Sequence, residues 1–374
     1  MHTLRASALS LSLSLLALGP STRALASDCD SPDAAWLMCE DFEGGDLGWD
    51  AWWATTPFVE CLGCSGGTNN PDRILLTSDP AYVFDGSYGL RMPAEAGAGY
   101  RGADLVYRSC TGRKRPGCTL ENHDVLYFRA RVRLDADHGY VHHFLSIGGS
   151  RADAYWESYG NAGCRPNGYR STGTTLDFNA DRELFFYTYT PDMRCDSGGY
   201  CSGSYVADIC SGCATKDMAC GATQECCWGN LYSATPRPVL PRGEWVCIEM
   251  MMQLNTPGRS DGEMAFWLND TLEHRETGMR FRDAPELGLD QVRLQHYIAG
   301  GDATRSNRVS FDDVIVSTAR IGCSGTPPPP RDAGVVMDAG STPTDAGATP
   351  MDASGPGRDA SPPRSDASAP ADAS

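Results

Sequence analysis

The chain contains almost no lysine. Lys114 and Lys216 are its two lysines, and the other basic residues among the 31 are arginines. Acidic residues number 48, so the formal net charge at pH 7 is −17. A field of this sign repels nucleic acid and anionic membrane surfaces, and we expect neither as a partner. It also opposes a polyanionic ligand, unless a local group of arginines, whose guanidinium fork suits carboxylates, overrides it.

Long apolar runs are missing beyond the N-terminus. A mostly apolar run follows Arg5, and Ala24-Leu25-Ala26 offers the small residues that signal peptidase cuts. We therefore interpret residues 1–26 as a secretory signal. No later stretch reaches the roughly 18 apolar residues of a membrane span. The sequence predicts a monomer that is secreted to the extracellular space or stays at the cell surface.

The composition changes again near the C-terminus. From Gly325 onward Pro, Ala, Asp, Ser and Gly dominate. Such a segment cannot bury a core, so residues 325–374 are predicted to be a disordered tail. The mature domain is then residues 27–324.

Zinc-hydrolase signatures are absent, since no His-Glu-x-x-His occurs. Cys210-x-x-Cys213 has a spacing seen in metal sites, but the 16 cysteines form an even number in an exported chain, which favours disulfides. Cys61 with Cys64, and Cys110 with Cys118, are expected to be local loop bridges. Residues 193–238 hold seven cysteines among many Gly and Ser residues and are predicted to form a Cys-rich insert, whose connectivity the sequence leaves open.

The segment Glu244 to Asn269 predicts a β-hairpin. Its first arm alternates Cys247, Glu249, Met251 and Gln253 against apolar neighbours, which is the period of a strand. Pro257, Gly258 and Gly262 lie in the connection and suit its turns. We expect this hairpin to fix the register of a sheet.

Other alternating segments predict further strands. Val125 to Leu134 places Arg129, Arg131 and Arg133 on one face, which is either the solvated back of a sheet or the floor of an anion-binding cleft. Leu184 to Tyr189 places Tyr187 and Tyr189 together. The segment Gln291 to Ile298 has one polar set, predicted to line a concave or exposed face: Gln291, Arg293, Gln295 and Tyr297.

A strand with two adjacent histidines runs from Tyr140 to Gly149. Neighbouring residues on a strand face opposite ways, so at most one of His142 and His143 is expected to point into a cleft. Tyr140 would share the side of His142.

The hairpin motif LNTPGxxDG with its downstream Trp267, followed by YIAGG from Tyr297 and FDDVIVS from Phe311, resembles the alginate and glucuronan lyases, polysaccharide lyase families fourteen and twenty, and their non-catalytic relatives. The resemblance implies an all-β, concanavalin A-like jelly-roll β-sandwich. In this architecture the closing strand, Arg308 to Thr318, pairs with the opening one. Cys323 would then form a bridge with Cys29 or Cys39.

The resemblance also implies a catalytic site. It places His142 where the alginate lyases carry a lysine, and it makes Tyr187 and Tyr189 the proton-transferring pair. The lyases carry Ser-x-Arg on the preceding strand, whereas this chain has Gly173 and Thr175 there. Candidate substitutes for that arginine are Arg170, Arg131 and Gln295. The full set of predicted substrate-binding residues is Tyr140, Arg131, Gln295 and Tyr297.

A calcium site is predicted where the terminal strands meet. Glu43 near the N-terminus and Asp312 with Asp313 near the C-terminus offer oxygen ligands from separate elements, as Ca²⁺ requires. The glucuronan lyase resemblance adds Ser87 to this set. The alternative is that these carboxylates are solvated at a sheet edge.

Three functions stay open at this point. The first is a lyase that cleaves a uronate-containing polysaccharide by β-elimination. The second is a carbohydrate-binding sandwich without catalysis, and the third is a surface adhesin whose Cys-rich insert meets a protein. The acidic charge and the missing Ser-x-Arg favour binding, whereas the tyrosine pair and the histidine strand favour a lyase.

Overall fold

Most of the region between the two terminal segments is described by the computed structural model. It covers residues 27–45, 54–55, 58–60, 68–69, 73–94, 96, 100–111, 119–139, 141–151, 162–195, 204–215, 218–221, 225–298 and 306–323. The predicted signal and tail lie outside these ranges, as do Tyr140 and the bridge between Cys61 and Cys64. No helix in this part of the chain is long and apolar enough to cross a membrane.

Strands make up most of the regular structure. In chain order they are β1 Trp36–Glu40, β2 Ala54–Thr55, β3 Phe58–Glu60, β4 Thr68–Asn69, β5 Leu75–Thr77, β6 Gly89–Ala94, β7 Tyr100–Gly102, β8 Asp104–Arg108, β9 Cys110–Thr111, β10 Thr119–Leu120, β11 Val125–Leu134, β12 Val141–Ser150, β13 Ser171–Phe178, β14 Leu184–Tyr189, β15 Asn230–Tyr232, β16 Trp245–Gln253, β17 Gly262–Leu268, β18 Thr271–Met279, β19 Gln291–Tyr297 and β20 Asn307–Ser317. A 3₁₀ turn, Asp28–Asp30, precedes β1, and helix α1 is Ser204–Thr215.

Two large antiparallel sheets form a sandwich. The first has the order β18-β17-β16-β11-β20-β6-β5, with β1 also paired to β20. The second has the order β15-β14-β13-β12-β19-β8-β2. This two-sheet arrangement confirms the jelly-roll β-sandwich predicted from the sequence, including the pairing of the opening and closing strands.

The core lies between the two sheets and is rich in phenylalanine. Phe186 of the second sheet meets Phe266 of the first edge to face, with ring centroids 5.5 Å apart. Phe144 meets Phe311 across the same gap at 5.7 Å. All four are fully buried. Because each of these side chains removes a large apolar area from water, the contacts bind one sheet firmly to the other.

The predicted hairpin is β16 with β17, paired from Ile248 with Leu268 to Gln253 with Glu263. Asn255, which is fully buried, organises its connection. The amide oxygen of Asn255 accepts hydrogen bonds from the backbone N–H groups of Phe281 and Arg282 at 2.6 and 2.9 Å. This single side chain therefore ties the turn to the segment that follows β18.

The arginine row on β11 corrects one expectation. Arg129 and Arg131 are not solvated: their exposed fractions are 0% and 1%. Terminal segments cover this face, since Arg129 forms an ion pair with Asp28 at 2.7 Å and donates to the carbonyl of Gly322 at 3.3 Å. The Arg129 side chain therefore fastens both terminal segments to the first sheet instead of facing water.

The predicted bridge from Cys323 to Cys29 or Cys39 is wrong. Cys29 bonds to Cys39, and Cys323 bonds to Cys247 on β16. The reason lies in the path after β20. The chain turns back across the first sheet, where the carboxylate of Glu249 accepts hydrogen bonds from the N–H groups of residues 321 and 322 at 2.7 and 2.9 Å. That path brings Cys323 to β16.

The Cys-rich insert is closed by disulfides, as predicted. Its described bridges are Cys164–Cys213, Cys195–Cys227 and Cys210–Cys220. Both members of the Cys210-x-x-Cys213 motif are used in these bonds, and no described cysteine is free. The insert returns to the second sheet as β15, which pairs with β14.

Candidate active site

The candidate site lies on the face of the second sheet that points away from the core, called here the site face. Tyr187 and Tyr189 share this face on β14, as predicted. Their hydroxyl oxygens are 3.1 Å apart and their rings meet edge to face. Burial, followed by the nearby Tyr187, raises the pKa of Tyr189 well above its ordinary value, and an N–H group of Gly229 opposes the shift. Tyr189 therefore keeps its proton at neutral pH.

The floor beside Tyr189 carries no side chains. Tyr189 is paired with Gly173 on β13, and Gly173 is paired with Gly148 on β12. Gly173 stands where the lyase pattern has the serine of Ser-x-Arg, and Thr175 stands where it has the arginine. The two glycines face each other across β12 and β13, beside the tyrosine strand.

Both histidines of β12 lie on the site face, which corrects the prediction that at most one would do so. The register of β12 shifts between Val141 and Leu145. Val141 and Phe144 both point into the core, so the two residues between them face outward together. The rings of His142 and His143 lie 5.5 and 6.0 Å from the ring of Tyr297. A β-bulge of this kind redirects side chains, and sequence periodicity does not reveal it.

His143, not His142, is the histidine next to the tyrosine strand. Its ring centroid is 5.8 Å from that of Tyr187. Nδ1 of His143 lies 3.0 Å from Oδ2 of Asp177, whose other oxygen accepts the backbone N–H of Phe144 at 2.9 Å. Asp177 therefore fixes the orientation of the imidazole ring.

The protonation of this pair follows from its burial. Burial, together with the positive charge of Arg293, lowers the pKa of His143 to about 3. Burial raises the pKa of the Asp177 carboxyl well above its ordinary value, against the opposing effect of His142. The His143 ring is thus uncharged at neutral pH, and the same shift makes it a weak proton acceptor.

Arg293 places a positive charge on the site face. It was not among the residues named above as substitutes for the missing arginine. It alternates with the core residues Val292 and Leu294 on β19 and is paired with Ser146. Its positive charge lowers the pKa of both His143 and Asp104. Gln295 lies one step further along the same face, paired with Asp104. Burial raises the pKa of Asp104 to about 7, while Arg293 lowers it.

The other proposed substitutes for the missing arginine lie elsewhere. Arg131 belongs to the first sheet, where it is paired with Asp312 and its guanidinium lies 4.4 Å from the ring centroid of Phe84. Arg170 ends the loop before β13. Tyr140, the remaining predicted sugar contact, lies outside the described residues. The site face therefore unites Tyr187, Tyr189, His142, Gln295 and Tyr297 of the predicted set, to which the structure adds His143, Asp177 and Arg293.

The predicted calcium ligands come close to one loop without converging. Oε1 of Glu43 accepts the backbone N–H groups of Ser87 and Tyr88, both at 2.8 Å. Oδ2 of Asp312 accepts the N–H of Phe84 at 2.8 Å, and Asp313 follows it. Among the described residues no group of three or more His, Cys, Asp or Glu side chains could hold a metal ion as arranged. Calcium stays a prediction.

A separate cavity of about 390 Å³ lies beside the hairpin turn. It is lined by Asp124, Val125, Gln253, Leu254, Thr256, Pro257 and Arg282. No tyrosine or histidine of the site face lines it, so it is not part of the candidate site.

Comparison with known proteins bears on this geometry. Residues 210–311 match the family model described as polysaccharide lyase 14. The chain resembles the polysaccharide lyases. The matched segment runs from helix α1 into β20 and contains the hairpin, the strand with Arg293 and the end of the Cys-rich insert. No curated protein matches the sequence.

Several solved structures are similar to this lyase-like chain. An alginate lyase from Aplysia kurodai shares 15% identity over 72% of this chain and 99% of its own, with a TM-score of 0.45. An alginate lyase from a Chlorella virus shares 12% over 73% and 98%, with a TM-score of 0.46. An endo-β-1,4-glucuronan lyase from Trichoderma reesei shares 13% over 72% and 96%, with a TM-score of 0.41.

Proposed function

We propose that this protein is a secreted lyase that cleaves a uronate-containing polysaccharide by β-elimination. The observation that carries the proposal is the tyrosine pair, with hydroxyls 3.1 Å apart, beside an uncharged histidine and an arginine. β-Elimination needs a proton acceptor, a proton donor and a positive charge near the uronate carboxylate. The site face offers each of these groups.

We assign the donor and acceptor roles from the positions of the groups and their protonation at neutral pH. His143, uncharged and oriented by Asp177, takes the proton from C5 of the uronate. The electron pair left behind forms the C4–C5 double bond, and the C4–O bond to the neighbouring sugar breaks. Tyr189, which keeps its proton at neutral pH, gives it to the leaving oxygen. Tyr187 lies between the two groups and returns the proton from His143 to Tyr189.

Arg293 is the proposed neutraliser of the carboxylate. When the C5 proton leaves, negative charge spreads onto the carboxylate oxygens, and a fixed positive charge in a buried setting stabilises it strongly. Gln295 and Tyr297 extend along the same face and would contact the sugar on one side. The paired glycines beside Tyr189 leave space for the ring.

Binding without catalysis is the second candidate. Gly173 and Thr175 stand where the lyase pattern has Ser-x-Arg, and the net charge of −17 opposes a polyanion. In this case the aromatic and amide groups of the site face would hold a polysaccharide and no bond would break.

One assay separates the two candidates. The purified protein is incubated with alginate, glucuronan and a neutral glucan, and the absorbance of the unsaturated product is followed beside retention on each polymer. We expect unsaturated product from at least one polyuronate and none from the glucan. Retention on a polymer without any product would support the binding function instead.

A further inference from the structure

Arginines from three neighbouring strands meet on the outer face of the first sheet, near the C-terminal end of β11. Arg133 on β11 is paired with Ser310 on β20, and Ser310 is paired in turn with Arg91 on β6. Each of these residues alternates with core residues of its strand. Their side chains therefore share the face that points away from the core.

One carboxylate lies among the arginines. Asp135, which directly follows β11, accepts hydrogen bonds from both terminal nitrogens of Arg91, at 3.2 and 2.7 Å. Nη1 of Arg133 lies 3.8 Å from one oxygen of this carboxylate, and Nη1 of Arg308 lies 4.0 Å from the other. We call Asp135 and these three arginines the Asp135 cluster. Within the cluster a single negative charge faces three positive charges, although the chain as a whole carries −17.

The guanidinium of Arg133 is held in place without using its N–H groups. Its distance to Asp135 is too long for a hydrogen bond, and among the described residues this guanidinium donates none. It lies 5.1 Å from the ring centroid of Tyr82, and the guanidinium of Arg91 lies 3.5 Å from the same centroid. Such contacts between a planar cation and an aromatic ring leave the donors directed outward. Arg133 therefore has donors for a further acceptor.

The cluster also reaches solvent. The side chains of Arg133 and Arg308 are 19% and 29% exposed, whereas that of Arg129, which lies under the terminal segments of the chain, is 0% exposed. A ligand can approach the first two guanidinium groups directly. Because both are also partly buried, salt screens their charge less than it screens a fully exposed arginine.

We propose that the Asp135 cluster is a second anion-binding site, at which Arg133 and Arg308 bind a carboxylate group of an acidic polysaccharide. A carboxylate fits because a guanidinium donates two parallel N–H bonds to its two oxygens, as Arg91 does to Asp135. The cluster and the site face lie on opposite sides of the sandwich, so the cluster holds polymer without taking part in bond cleavage. The choice of a polyuronate as ligand rests on the proposed lyase function. The anion site itself does not.

Binding is tested first by NMR on the intact protein, through the Nε–Hε signal of Arg133. Glucuronate supplies one carboxylate on a sugar ring, and glucose supplies a sugar ring without it. We expect glucuronate to shift the Arg133 signal in a saturable way, and added salt to weaken the binding. Glucose should leave the signal unchanged. A signal that glucuronate does not move, or that glucose moves equally, would overturn the proposal.

The contribution to polymer binding is tested with two double variants. Arg133→Gln with Arg308→Gln removes two charges from the cluster and keeps its hydrogen-bonded ion pair. The matched control, Arg259→Gln with Arg275→Gln, removes two exposed arginines of the hairpin connection and β18. On alginate or glucuronan we expect the affinity of the cluster variant to be about tenfold below that of the control. Equal affinities of the two variants would contradict the proposal, and retention on a neutral glucan should be the same in both.

Failure of the proposed function has a different signature. If wild type forms no unsaturated product but the cluster variant still loses affinity for polyuronates, the lyase proposal fails and the anion site stands. If wild type is active, the cluster variant should keep its kcat, because Arg133 and Arg308 lie on the far side of the sandwich from the tyrosine pair. A kcat that falls with the affinity would contradict a role in binding alone.

Discussion

The outer faces of the two sheets carry similar polar residues and use them in opposite ways. On the first sheet Arg129 is buried under the chain ends and paired with Asp28. On the second sheet Arg293 is also almost fully buried, but its charge acts on titratable groups of the site face, since it lowers the pKa of His143 and of Asp104. The difference lies in what covers each sheet. Terminal segments cover the first face, and the second presents its polar groups beside a floor of glycines.

The sharpest test of this comparison is the tyrosine pair. Tyr189→Phe removes a proton-transferring oxygen and little contact area, so turnover should fall by more than roughly 100-fold. Retention on the same polymer should change by less than about twofold. The assay is the rate of unsaturated product, with Tyr169→Phe as the control. Turnover that survives in Tyr189→Phe would remove this residue from the chemistry.

The two arginines should respond in opposite ways. Arg293→Gln should lower turnover roughly 100-fold, because it removes a fixed charge at the reacting carboxylate. Its melting temperature should fall less than that of Arg129→Gln.

Arg129→Gln breaks a buried ion pair, so we expect a loss of about 3 kcal/mol in unfolding free energy. Catalysis by the folded fraction should stay normal. Thermal melts and single-turnover rates on both variants make the comparison. An Arg129 variant that is stable but inactive would contradict the division of roles between the sheets.

The stability of the protein and the KM of the candidate site should both depend on pH through the ionisation of Asp104. Its pKa in the folded protein is about 7, against 3.8 in the unfolded chain. The folded state thus holds the proton more tightly, and the contribution of this group to stability is lost as pH rises from about 4 to 7. Above pH 7 the ionised carboxylate competes with the substrate for Arg293, so KM should rise about fivefold, which corresponds to about 1 kcal/mol.

Asp104→Asn provides the matched variant. It keeps the shape of the side chain and removes the charge, so its KM should stay flat between pH 6 and roughly 8.5. A wild-type KM that does not change across this interval would show that Asp104 does not act on Arg293.

A separate prediction concerns calcium beside β20 of the first sheet. Burial and then Asp313 raise the pKa of Asp312, and burial raises the pKa of Asp313 to about 6. A cation would relieve the repulsion between these carboxylates. At a hundredfold excess over Kd it would add about 2.7 kcal/mol of stability. Melts with chelator and with added calcium should differ, and the calcium prediction would be lost if they coincide.

The sheets were predictable because their signal is local. Alternation in β11, β14, β16 and β19 marks one face of each strand, and the turn with Pro257 and Gly258 sets the hairpin. The faces of Tyr187 and Tyr189 followed from the same rule. The resemblance to the alginate and glucuronan lyases then supplied the jelly-roll architecture into which these strands fit.

The remaining features depend on contacts between distant segments. The outward turn of both His142 and His143 comes from a bulge that periodicity does not mark. Arg293 was visible as a polar member of its strand, whereas Asp177 was not singled out, and their meeting at His143 depends on which strands neighbour β12. The bond between Cys247 and Cys323 depends on the return of the chain over Glu249.

The disulfide between Cys247 and Cys323 determines how the domain transmits mechanical tension. Any load on the chain beyond Cys323 passes through sulfur into β16, which lies between β11 and β17 inside the first sheet. The closing strand β20, which lies between β11 and β6, is bypassed, so tension at that end does not act on it directly. The point of loading and the site face are on opposite sides of the sandwich. A molecule held by the chain beyond Cys323 would therefore present its tyrosines and histidines on the side away from the point of attachment.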